Sequence, residues 1–77
     1  MLLADFIKEL KHKSLWLNII DEKPFDENPV FVDTLGVLLN YVPYLNTYSK
    51  YEVSRVVPVL TTYDKKPSLI IYIYEVE

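Results

Sequence analysis

Cysteine is missing from this 77-residue chain, and glycine, histidine, tryptophan and methionine each occur once. Each shortage removes a class of explanation. Without cysteine there are no disulfides, and with His12 as the lone imidazole a zinc site is nearly excluded. A single glycine, Gly36, cannot form a glycine-rich phosphate cradle, and it leaves loops little access to positive φ. Positive charge is also scarce: eight Lys and Arg stand against eleven Asp and Glu, a net charge of −3. Nucleic-acid binders are usually basic, so that role is not expected. No run approaches the roughly 20 apolar residues that span a bilayer. The opening MLLADFIKELKHK carries Asp5 and has no basic lead or small-residue cleavage site, so it does not read as a signal peptide. A cytoplasmic location without membrane association is expected.

What is present is apolar. Hydrophobic residues make up 51% of the chain and tyrosine occurs seven times, a globular profile for one domain spanning residues 1–77. Domains this small seldom gain more than roughly 3–5 kcal/mol from their own core. With disulfides and zinc removed, association with a partner or an unusually well-packed monomer remains.

Leu2, Leu3, Phe6, Ile7 and Leu10 recur at helical spacing, which predicts an amphipathic helix of about three turns with Lys11, His12 and Lys13 at its C-terminal end. In LWLNIIDE, Leu15, Leu17 and Ile19 alternate with Trp16, Asn18 and Ile20, the pattern of a strand. DEKPFDENP reads as a loop. A short strand follows at Val30–Asp33, with Val30 and Val32 on one side and Phe31 and Asp33 on the other. Asp33 or Thr34 can cap a helix of one or two turns that ends before Pro43. Residues 51–60 form a strand that Pro58 places at an edge or a bulge. The loop TYDKKPS joins it to the last strand, SLIIYIYEVE. The expected fold is α+β: an N-terminal helix packed on one face of a four-stranded, mainly antiparallel sheet, with a short central helix.

That helix should cover the rows Leu15/Leu17/Ile19 and Leu69/Ile71/Ile73. Trp16, Ile20, Ile70, Tyr72 and Tyr74 are then left on the far side. Tyrosine and tryptophan suit interfaces that are both apolar and hydrogen-bonding, so this row is a candidate contact surface. Two other readings stay open, in which the central segment folds over it or the rings lie in solvent. Tyr41, Tyr44 and Tyr48, followed by Tyr51, are spaced three, four and three apart and form a second candidate surface. They can pack, contact a protein or line a ligand pocket. Base stacking fits poorly with only Lys50 and Arg55 nearby. Asp21, Glu22, Asp26 and Glu27 form an acidic loop whose spacing does not match a calcium loop. No serine or cysteine nucleophile pattern accompanies His12, and no residue pattern identifies a reaction, a metal or a cofactor.

The leading LLADFIKEL helix, the LWLNIID strand, the YEVSRVVP segment and the aliphatic last strand resemble small uncharacterised proteins of bacteriophages and prophages of low-GC Gram-positive bacteria. The resemblance implies a compact accessory protein that binds a host or phage protein in the bacterial cytoplasm. A non-catalytic protein-binding or self-associating module is therefore the expected function. A small ligand-binding protein or enzyme, with a pocket made by the tyrosine-rich centre, is the alternative.

Overall fold

A computed structural model describes residues 1–22, 29–60 and 67–76. In chain order it contains α1 (Leu3–Glu9), β1 (Trp16–Asp21), β2 (Pro29–Thr34), α2 (Leu35–Asn40), α3 (Val42–Tyr48), β3 (Glu52–Leu60) and β4 (Pro67–Tyr74). The strands form one sheet in the order β2-β1-β4-β3. Both outer pairings are antiparallel and the central β1–β4 pairing is parallel. This is the α+β architecture expected, with a mixed sheet. Asp26, Glu27 and most of the hairpin loop after β3 lie outside the described residues.

Apolar content sorts the strands. The last strand is apolar on both sides, as a strand flanked by two neighbours should be, and it takes a central position with Ile71 and Ile73 fully buried. Proline goes to the rim. The Ile73 carbonyl accepts from the Glu22 N–H on the β1 side, so ladder alternation turns Ile70 and Tyr72 toward β3. Their partners are Val57 and Arg55, which leaves Pro58, opposite Leu69, with its ring nitrogen facing outward. No ladder bond is lost there. A bulge at Ser54 and the pairing of Leu2 with Glu52 further blunt this edge.

The β2 edge is blunted differently. Pro29 has no N–H, and a register shift between Ile19 and Ile20 leaves Val30 without a partner across the ladder. The Leu35 N–H bonds the Leu15 carbonyl. Alternation from that pair points Thr34 and Val32 outward, and the Thr34 N–H donates to its neighbour's Oδ1, on Asp33, at 2.7 Å. Bulges, prolines and short strands are the usual protections against edge-to-edge pairing. Each edge carries a bulge and a proline.

One sheet face holds the core. Leu17, Ile19, Phe31, Ile71 and Ile73 pack with Leu3 and Ile7 of α1 and Leu35 and Leu38 of α2. Tyr44, Leu45 and Tyr48 of α3 pack against the same cluster. Three short helices therefore share the face that one longer helix was expected to cover. Helix α1 has about two turns, because Leu2 is drawn into its bridge with Glu52 and Leu10 turns extended at φ −78°, ψ 130°. Lys11, His12 and Lys13 accordingly follow the helix and do not form its last turn. Pro43 starts a helix instead of stopping one. It lies in the first turn of α3, where a missing N–H costs nothing. The helix before it ends at Asn40, and its N-cap is Thr34, whose hydroxyl accepts from the Val37 N–H at 3.4 Å. Val30 departs from the expected alternation as well. The bulge brings it against the core beside Phe31, while Val32 stays 46% exposed on the other face. The single glycine sits where backbones meet: the Gly36 N–H bonds the Lys13 carbonyl at 2.9 Å, and a Cβ there would lie 3.3 Å from that oxygen.

Candidate functional site

The eight candidate side chains occupy two surfaces. Trp16, Ile20, Ile70, Tyr72 and Tyr74 project from the sheet face opposite the helices. Tyr41, Tyr44 and Tyr48 lie on the helical side. The central segment that carries these three packs on the core cluster and does not cover the first five.

Register fixes the neighbours on the open face. Asn18 pairs with Val32 on one side and Ile70 on the other, Ile20 with Tyr72, and Tyr74 with Glu52. Trp16 stands between Thr34 and Ser68, two small residues, and is 40% exposed. Tyr74 is similarly exposed, and Ile20, Ile70 and Tyr72 are half-buried by their neighbours in the sheet. Four side chains not singled out from the sequence belong to the same face: Val32, Arg55, Val57 and Val59. Arg55, Val57 and Val59 alternate along β3, and the β3–β4 register gives them a side. The Arg55 guanidinium lies 4.1 Å from the Tyr72 ring centroid, a cation–π contact across the β3–β4 pair. At the centre, the Asn18 Oδ1 is buried and, among the described residues, has no hydrogen-bond partner.

On the helical side the tyrosines form a ladder. Tyr41 caps α3, and its ring lies 4.9 Å from that of Tyr44, which in turn lies 6.1 Å from Tyr48 in a stacked arrangement. The middle ring and one end are braced. Phe31 meets Tyr44 edge-on at 5.6 Å, and Tyr51 meets Tyr48 edge-on at 5.1 Å. Tyr44 and Tyr48 are half-buried, whereas Tyr41 is 48% exposed. Two open grooves flank the ladder. One, of about 320 Å³, runs between the tyrosines and β2 and includes Phe31, Asp33 and Val37. The other, of about 250 Å³, is lined by Tyr41, Pro43, Tyr44, Thr47 and Tyr48. Beneath them, between α1, α3 and Ile19, lies an apolar void of about 10 Å³. That is close to the minimum for one water molecule, and the lining is apolar.

Burial pushes the Tyr51 phenol above its ordinary value of 10.0, and the Glu75 and Asp21 carboxylates and Tyr48 add to the effect. The folded chain therefore keeps this proton longer than the unfolded chain does. The contribution is complete below pH 10 and is lost as pH rises through the folded value. Thermal melts of the parent should lose more stability above pH 10 than those of Tyr51→Phe. Parallel alkaline profiles would remove the coupling.

The remaining candidates do not assemble. Lys11, His12 and Lys13 are exposed beyond α1. Among the described residues, no three His, Asp or Glu side chains gather closely enough to hold a metal ion. Among the same residues, no helix is long and apolar enough to cross a membrane.

Comparison with known families, curated proteins and solved structures finds no match.

Proposed function

We propose that this chain is a small non-catalytic module that works by protein contact through the open face of its sheet, either with a second copy of itself or with another protein. One observation carries the reading. Trp16, Ile20, Ile70, Tyr72 and Tyr74 share a sheet face on which none of the three helices packs, although each helix has an apolar stripe of its own to bury. Aromatic residues on an apolar surface are the common anchors of protein interfaces. The blunted edges favour this face over strand addition as the route of association. The resemblance to phage and prophage proteins supports a host or phage protein in the bacterial cytoplasm as the partner.

The test pairs Tyr72→Ala with Tyr74→Ala. Association should weaken at least tenfold, the usual cost of losing an aromatic anchor, while far-UV circular dichroism stays unchanged. Sedimentation equilibrium measures self-association, and acrylamide quenching of Trp16, the single tryptophan, reports whether the face becomes covered. The reading fails if the parent stays monomeric into the millimolar range and parent and double variant capture the same host proteins in equal amounts.

A further inference from the structure

The tyrosine ladder is independent of the sheet face and supports a different partner. We propose that it docks a proline-rich segment in the polyproline II conformation, with a basic residue at its β2 end.

The dimensions fit. The ring steps of 4.9 and 6.1 Å make the ladder about 11 Å long at most. A polyproline II helix repeats every three residues at 3.1 Å each, so one turn is about 9 Å. The two grooves share Tyr41 and Tyr44 and lie on either side of that pair, so successive turns of such a ligand can enter one groove each. The rings are also preorganised, since Phe31 and Tyr51 brace Tyr44 and Tyr48. A ligand that is itself stiff then binds with little ordering cost on either side. Polyproline II makes no internal hydrogen bonds, so its carbonyls are free to accept from phenol hydroxyls.

The same site disfavours the competing ligands. An added β-strand needs a ladder, but Pro29 has no N–H, Val30 sits in a bulge and the Thr34 N–H is held by Asp33. A polyproline II segment needs none. Nucleic acid needs cations, yet among the described residues the charged side chain lining the grooves is Asp33, an anion. Asp33 instead selects a Lys or Arg on the ligand at the β2 end. Compact metabolites prefer enclosed pockets, and both grooves are open troughs.

The experiment is a 15N-labelled titration of the full chain with a peptide of six prolines ending in arginine. Controls are the arginine-free hexaproline and an alanine peptide ending in arginine. The proline–arginine peptide should saturably shift the amides of Tyr41, Tyr44, Thr47, Tyr48 and Asp33 and leave the Trp16 indole unmoved. Tyr41→Ala should weaken binding at least tenfold. If that variant loses its folded spectrum, Tyr41→Phe, which keeps the ring and removes the hydroxyl, should still weaken binding measurably. Asp33→Asn should abolish the preference for the arginine-bearing peptide. No saturable shift with millimolar peptide, equal response to the alanine peptide, or shifts centred on Trp16 would each overturn the proposal.

Discussion

Ile71→Ala should remove most of the protein's stability at room temperature. Ile71 is fully buried on β4, a central strand, where it faces Ile19 on β1 and Val56 on β3. Truncating a buried isoleucine costs about 2–5 kcal/mol, the loss being greatest where the surroundings cannot collapse into the space. Here they are held by ladders on both sides, so about 3–4 kcal/mol is expected. A domain of this size has roughly 5 kcal/mol or less to lose. Urea denaturation followed by circular dichroism measures both terms. Truncation at Val57, on the same sheet but half-buried on its open face, should cost about 1 kcal/mol. Equal losses at the two positions would mean that the open face is as well packed as the core, which would remove the ground for a docking surface there.

The contrast between those faces was half legible in the sequence. Periodicity is a local property, and it correctly placed Leu3 and Ile7 on one helix stripe and separated Ile71 and Ile73 from Tyr72 and Tyr74. Which strands would be neighbours is a non-local property. The parallel pairing of β1 with β4 brings together residues some fifty positions apart, and nothing within either segment encodes it. Pro43 was ambiguous for a physical reason: proline disfavours the α conformation in the residue before it yet is well suited to a helix's first turn. The bulge at Val30 inserts one residue and reverses the sides that strict alternation predicts before it. Tyrosine spacing hinted at the ladder. Its bracing by Phe31, from a different strand, could not be read.

The open face also has a polar centre, and this leads to the second large effect, an increase in stability. The Asn18 Oδ1 is shielded by its neighbours and has no hydrogen bond among the described residues, and a buried acceptor left unsatisfied costs about 1–3 kcal/mol. Valine at this position removes that acceptor, suits a central strand and meets Val32 and Ile70 across the ladder. Asn18→Val should therefore stabilise the monomer by about 1–2 kcal/mol, raising Tm by roughly 4–8 °C for each kcal/mol. A fall in Tm would show that the amide is satisfied in solution. Because Asn18 lies among Trp16, Ile20 and Ile70, the variant also separates fold from contact. A surface that bound only through hydrophobic area would bind more tightly with valine. A surface that uses the amide to orient its partner, as a single buried asparagine can fix register in a coiled coil, would give a more stable monomer that associates less well. Thermal melts and sedimentation on the same sample distinguish the two.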